Sequence, residues 1–430
     1  MNASETSPAS PKSPLRIPDY RRFWLARFAS VLATTGMVVI IGYQIYDVAR
    51  AEYGMSIPAA SFQLGLLGFA QFVPLFLLTP VAGVVADRFD RRYVAAAAMV
   101  LDVAVAGTLG FVTITQWRSL PVLFGLAATH GAVRVFVSPA LSAIAPNIVP
   151  AALIPRAIAL NSIAFQSGAV IGPAAAGFLF ASERSMPYWV SAVLMSVAVV
   201  AVLAIRSLPP PPPEARRTHP LRQIVGGFQF VWNERFLLGC ISLDLFAVLL
   251  GGATALLPVF ARDILQVGPE GLGQMRAAPA VGAALVAIWL SWKPLEREVG
   301  VKMLLAVAAY GAMTLAFGLS RSFLLSLGFL ALLGAADMIS VFIRSSLVQL
   351  NTPDDVRGRV SAISGLAISA SNELGELQSG FAAALLGATG AVVFGGTGAI
   401  VVTILWAWLF PELRHARTFA PQYRLRESGS

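Results

Sequence analysis

The chain has 430 residues, of which 57% are hydrophobic and only 12% charged, with a mean hydropathy of +0.73. Too few polar groups remain to cover a water-soluble globule of this length, so the composition excludes a soluble enzyme or binding domain and specifies a polytopic membrane protein in a lipid bilayer. A net charge of +9 would suggest nucleic acid in a soluble domain, but the basic residues are scattered through short loops without a stripe or interleaved aromatics, which argues against a nucleic-acid partner.

Residues 1–19 are polar and rich in Ser and Pro, with no short apolar core ahead of a small-residue cleavage site, so they are expected to be a cytoplasmic tail and not a signal peptide. A membrane-crossing helix needs about 20 apolar residues. Twelve such runs follow. The first six, at 20–46, 61–86, 93–115, 119–145, 158–181 and 187–206, predict an N-terminal six-helix bundle over 20–206. Residues 207–235 open on five consecutive prolines and carry several arginines, which predicts an extended, solvated linker. The second six runs, at 236–261, 269–292, 301–319, 322–350, 360–388 and 390–410, predict a C-terminal bundle over 236–410, with a cytoplasmic tail at 411–430.

Basic residues test this layout, because loops rich in Lys and Arg stay cytoplasmic. Of 31 such residues, 22 lie in the tails, the linker and the loops after the second, fourth, eighth and tenth runs. The alternate loops hold only Arg50, Arg118, Arg184, Arg262 and Arg321, while Arg27, Arg134, Arg276 and Arg344 lie inside runs. Both termini are therefore expected in the cytoplasm of a cell whose inner membrane holds the protein. The chain also repeats: an offset of 203 places Gly131-Ala132 on Gly334-Ala335, Pro150 on Pro353, Arg156 on Arg359, Gly172 on Gly375 and Gly177-Phe178 on Gly380-Phe381. Two related halves that rock about one site leave such a trace.

Between the second and third runs lies the charged knot Gly83-Val-Val-Ala-Asp87-Arg88-Phe-Asp90-Arg91-Arg92. Gly83-x-x-x-Asp87-Arg88-x-x-Arg91-Arg92 is similar to the loop between helices 2 and 3 of the major facilitator superfamily, with Asp90 standing where glycine is usual. That resemblance implies a cytoplasmic gate. Asp87 would latch against the start of the eleventh helix, near Arg359, where a helix N-terminus carries partial positive charge. Arg88, Arg91 and Arg92 would orient it or meet Asp354 and Asp355. In the fifth run, Gly168-x-x-x-Gly172-Pro173-x-x-x-Gly177 is a small-residue ladder suited to close helix packing, with a proline that kinks the helix. It is similar to the glycine-proline signature of drug:proton antiporters.

Ionisable groups inside hydrocarbon are costly and mark candidate sites. On the eleventh run, Asn372, Glu373 and Glu376 lie near the middle, the two glutamates on one face. Two carboxylates in a low dielectric repel, which favours one of them holding a proton; pairing with Arg276 or Arg344 is the structural alternative. Asp337 and Arg344 share the tenth run, and the repeat places Arg134 at the position equivalent to Asp337. In the superfamily, helices 1, 4, 7 and 10 line the central cavity, which implies that Arg134 and Asp337 face each other and that Asp244 of the seventh run faces the cavity. Asp102 is expected to brace neighbouring helices, and Arg27 to snorkel to the headgroups.

Asp244-Leu-Phe-Ala247, Leu256-Leu-Pro-Val-Phe-Ala261, Asn351-Thr-Pro-Asp-Asp-Val-Arg-Gly-Arg-Val360 and Ser371-Asn-Glu-Leu-Gly-Glu376 are similar to the enterobactin exporter group of bacterial facilitators. The implied fold is all-α, twelve helices in two pseudo-symmetric bundles. The implied function is monomeric, proton-driven export of a small amphipathic or anionic molecule, a siderophore or a drug-like compound, with lysophospholipid movement as the alternative. No cofactor is expected. Cys240 is the single cysteine, and His130, His219 and His415 are scattered, which leaves neither a disulfide, a metal set nor a catalytic triad.

Overall fold

The computed structural model describes residues 13–207, 220–293, 295–353 and 356–420, and within them the side chains of all but residues 80, 83, 84, 86, 87, 143, 146, 151, 220–225, 253 and 362. Six helices form the N-terminal half: α1 (Pro18–Ala51), α2 (Ile57–Arg88), α3 (Arg91–Ile114), α4 (Leu120–Ile148), α5 (Ile154–Ser182) and α6 (Met186–Leu203). Pro18, Pro58, Pro121, Pro155 and Pro187 all sit in first turns, where the missing N–H would have had no partner. The sequence punctuates its own spans.

The C-terminal half consists of α8 (Arg235–Leu250), α9 (Leu257–Val259), α10 (Gly268–Trp292), α11 (Val299–Leu319), α12 (Phe323–Asn351), α13 (Arg357–Leu409) and the short α14 (Pro411–His415). Among the described residues, eleven stretches are long and apolar enough to cross a membrane. The last, α13, is 53 residues long and is broken at Gly387, whose φ of 75° belongs to the left-handed region that glycine tolerates. At about 1.5 Å per residue an unbroken helix of that length would overshoot any bilayer. The break resolves it into the eleventh and twelfth spans.

Two expectations are corrected. The linker is not extended throughout: Pro220–Asn233 forms helix α7. Its Val231 is buried while Phe228 and Trp232 stack on each other and stay exposed, and a Cβ at Gly227 would meet the Arg359 carbonyl of α13. This is an amphipathic helix laid against α13, too short and too polar at its start to register as a span. The seventh span is also not one rod. It ends at Leu250, passes through Gly251 and Gly252 into a 3-10 turn at Ala253–Leu256, and finishes as α9 and a π-helical turn at Phe260–Ile264.

The core divides in a way that fixes the shape. Tyr20, Phe23, Met99, Leu141 and Met195 form a core private to the N-terminal half, and Phe236, Ile241, Met303, Leu347 and Val360 one private to the C-terminal half. Both lie toward the face carrying the basic loops. A third core, toward the opposite face, is shared: Ile40, Tyr46, Leu64 and Leu109 of one half pack with Leu256, Phe260, Met275 and Phe317 of the other. Among the described residues, the apolar core at the opposite face joins the halves, and those at the basic face are each private to one half.

Glycine makes the joint close. A Cβ on Gly380 of α13 would fall on the backbone of Gly65 in α2, and one on Gly65 would lie 2.9 Å from the Leu377 carbonyl oxygen. We expect Gly65→Val to destabilise the protein by about 1–3 kcal/mol through overpacking, read as a lower midpoint of thermal unfolding in detergent; an unchanged midpoint would mean that this crossing is not as tight as its geometry.

Candidate functional site

A cavity lies between the halves, lined among others by Val38 of α1, Gln71 and Leu75 of α2, Arg134 of α4, Arg276 of α10, Tyr310 of α11, and Ser369, Asn372, Glu373 and Glu376 of α13. Glu373 and Glu376, one turn apart on α13, share this wall because three residues bring side chains to one helix face. Their partners come from both halves. Arg134 Nη1 stands 3.6 Å from Glu373 Oε1, and Arg276 Nη2 3.9 Å from Glu376 Oε1. Each guanidinium is held by a neutral acceptor instead: Arg134 donates to Gln71 Oε1 at 3.1 Å and Arg276 to the Thr254 carbonyl at 3.1 Å. The result is a box of two guanidinium and two carboxyl groups, open to the cavity.

The structure thus brings Glu373, Glu376, Asn372 and Arg134 together, and sends the other charges elsewhere. Arg134 meets Glu373 across the halves and not Asp337. Asp244 does not face the cavity; it is buried in an ion pair with Arg344. Asp337 lies within electrostatic reach of both, so α8 and α12 carry a second charged cluster inside the C-terminal half. A buried carboxylate removed from its cation leaves that cation uncompensated, so we expect Asp244→Ala to cost about 3–5 kcal/mol of stability. Calorimetry on the purified variant measures it, and a loss below about 1 kcal/mol would mean that Asp337 takes over as the counter-ion of Arg344.

Arg27 does not snorkel. It is 8% exposed, stacks over Phe165 at 5.5 Å and leaves Nε without a partner. Asp102 does brace a neighbour, and that neighbour is His130: Nδ1 of the imidazole lies 2.7 Å from Oδ1, with both side chains 1% exposed. The ladder on α5 serves packing. Gly168 and Gly172 seat α5 on Val31, Leu32 and Thr35 of α1, while the carbonyl of Pro173 and Gly177 meet Gly273 of α10 across the halves.

At the basic face, the surroundings of Gly83 and the side chain of Asp87 lie outside what is described, as do Asp354 and Asp355. Arg88 is exposed. Arg92 is spent locally: it clasps Asp90 at 2.7 Å and donates to the Ile205 carbonyl at 2.5 Å, tying the loop to the end of α6 and not to α13. Asp90 replaces the usual glycine productively, since its carboxylate caps α3 by accepting from the Arg92 N–H at 3.0 Å. Burial pushes the Asp90 carboxyl up, but the Arg92 bonds outweigh it and hold it below the usual carboxylate range. The cap therefore persists at neutral pH and is lost only as pH falls through that depressed value.

Sequence reasoning missed two features. Gln71, buried on α2, positions Arg134; a lone amide in an apolar run was its signal. The larger one closes the opposite face. Tyr46 donates to Asp263 Oδ2 at 2.5 Å and Arg50 to Asp263 Oδ1 at 3.3 Å, while Arg262 meets Asp47 at 3.0 Å and Arg184 meets Asp47 at 3.6 Å. These contacts join α1 and the α5–α6 connection to the π-helical turn of the other half. Three of the five arginines that broke the loop-charge rule are used here.

The model of a family described as transmembrane secretion effector matches residues 9–425. Enterobactin exporter EntS of Escherichia coli strain K12 is 28% identical over 426 residues, 96% of each chain. Among solved structures, the human organic anion transporter MFSD10 superposes with a TM-score of 0.64 at 18% identity, covering 92% of this chain and 100% of that one. A bacterial homologue of the human lysosomal transporter Spinster, inward-facing and unoccupied, gives 0.68 at 15% identity over 95% and 98%. A D-xylose-proton symporter gives 0.67 at 16% identity over 90% and 97%.

Proposed function

This chain belongs to the transmembrane secretion effector family of the major facilitator superfamily, a multi-pass membrane transporter and not an enzyme, and on that premise we propose that it exports a small amphipathic molecule of the siderophore type in exchange for protons. Glu373 and Glu376 take and release the protons, Asn372 offers its amide to the substrate beside them, Arg134 joins them to the other half, and Asp337, Asp244 and Arg344 form a supporting cluster. Gly83, Asp87, Arg88 and Arg91 time opening at the basic face, which the loop charges assign to the cytoplasm.

One observation supports this reading above the rest: Arg134 of the N-terminal half and Glu373 of the C-terminal half face each other across the cavity at 3.6 Å. Any rocking of the halves changes that pair, so proton occupancy and conformation are linked at one place. The shared core and the Asp47 and Asp263 contacts close one face, and their release with closure of the other face would be the alternate state.

Inverted membrane vesicles acidified inside test the proposal with enterobactin, the molecule named for the relative. Uptake is expected to run at least about tenfold faster than after a protonophore, equivalent to about 1.4 kcal/mol of drive. Equal rates would overturn proton exchange. Movement of labelled lysophospholipid with no response to the gradient would favour the lipid reading.

A further inference from the structure

We infer that Arg27 is a separate oxyanion site at the basic-face end of the pathway, taking a carboxylate or phosphate group as the counter-ion that the chain itself does not supply. The site stands on geometry and involves neither Glu373 nor Glu376; that the exported molecule brings the oxyanion rests on the export reading above, and a lipid headgroup is the other source.

Three of the four arginines inside the spans are supplied by the protein: Arg344 by Asp244, Arg134 by Gln71 and Arg276 by the Thr254 carbonyl. Arg27 is not. It is 8% exposed, makes no hydrogen bond or ion pair among the described residues, and leaves Nε buried and unbonded, with only the ring of Phe165 at 5.5 Å. A guanidinium does not shed its proton to escape burial, so the missing partner is a charge. A second unspent group stands beside it: Asn161, one turn before Phe165 on α5, has its amide oxygen buried without a partner.

The seam between α1 and α5 fixes the guanidinium in place. On one side of Arg27, Gly168 and Gly172 bring α5 against Val31, Leu32 and Thr35. On the other, Tyr20 donates to the Ala157 carbonyl at 2.6 Å and Trp24 to the Leu160 carbonyl at 2.9 Å. Clamped on both sides, the helices cannot shift to bring Arg27 a partner. Its direction follows from helix geometry: Val38, which lines the cavity, is eleven residues on, three turns, so the two share a face of α1. At the rise of an α-helix, Arg27 stands about 16 Å nearer the basic face, where the apolar cores are private to each half. Phe165 is 44% exposed, which leaves the ring beneath the guanidinium open to an incoming group. A carbonyl would satisfy the N–H groups but not the charge, and a cation would be repelled. An oxyanion does both, because the planar guanidinium offers it two parallel N–H bonds.

Cys240, the single cysteine, is buried, so a thiol-reactive dye reads thermal unfolding of the full chain in uncharged detergent. Saturating phenylacetate is expected to raise the midpoint by at least about 2 °C, and phenylacetamide, of the same shape without the charge, to leave it unchanged. Arg27→Gln should lose the shift, Arg27→Met, uncharged and apolar, should lose it too, and Arg27→Lys should keep part of it. Phosphatidylglycerol added in place of phenylacetate separates the sources: a shift that depends on Arg27 and arises with this lipid alone supports the oxyanion site and gives it to a headgroup. A shift that survives either uncharged variant, an equal shift from phenylacetamide, or no shift from either oxyanion overturns the inference. The vesicle experiment judges export separately: no enterobactin movement beside a shift that depends on Arg27 would leave the site standing, and movement beside no shift would remove the site alone.

Discussion

Glu373→Gln is expected to abolish gradient-driven transport while leaving substrate exchange between the two faces running at near the wild-type rate. Glutamine keeps the shape and an acceptor oxygen but cannot change charge, so the variant mimics one protonation state permanently. Because Arg134 is held by Gln71 and not by Glu373, the loss of the carboxylate charge does not release the guanidinium, and the fold should survive. A fall of at least about tenfold in gradient-driven rate, equivalent to about 1.4 kcal/mol, is the expected size. Measuring net uptake and counterflow on the same vesicles checks it; loss of both would reduce Glu373 to a substrate contact, and loss of neither would remove it from the mechanism.

The second large effect concerns the closed face. Asp263→Ala removes the acceptor for Tyr46 and Arg50 and a neighbour of Arg262. These side chains are partly buried, Asp263 being 15% exposed, so the loss falls between a surface pair and a sealed one, at about 2 kcal/mol. That shifts the balance toward opening at this face by about 30-fold. A cysteine placed at Val38, which lines the cavity, reports it: a membrane-impermeant maleimide applied from the opposite face should label Asp263→Ala rapidly and the wild type slowly. Cys240 is buried and does not compete. Equal labelling in both would mean that the shared apolar core alone keeps the face shut. Exchanging the Asp47 and Arg262 charges should restore slow labelling in a Asp47→Arg, Arg262→Asp pair where either change alone does not.

What the sequence disclosed follows from where its signals are strong. Apolar runs and first-turn prolines gave the spans, and the clustering of acids on the eleventh run marked the wall of the cavity, because a carboxylate in hydrocarbon has few reasons to be there. What it hid was pairing. Asp102 and His130, 28 positions apart on α3 and α4, are each conspicuous alone, but their contact depends on how two helices are rotated. Arg134 has Glu373 as partner instead of Asp337 for the same reason: the repeat fixes equivalent positions, not which of them meet. Arg50, Arg184 and Arg262 looked like exceptions to the loop-charge rule, and their use emerges only once Asp47 and Asp263 stand beside them. Helix α7 was obscured by its prolines and arginines upstream.

The central claim is that substrate and protons displace one another at Glu373 and Glu376. A pH-sensitive dye inside liposomes carrying the protein tests it most directly, with enterobactin added and no gradient imposed beforehand. The account predicts a substrate-elicited proton movement opposite in direction to the substrate, absent in the Glu373→Gln, Glu376→Gln variant. Proton movement in the same direction as the substrate, or the same signal from the double variant, would contradict it.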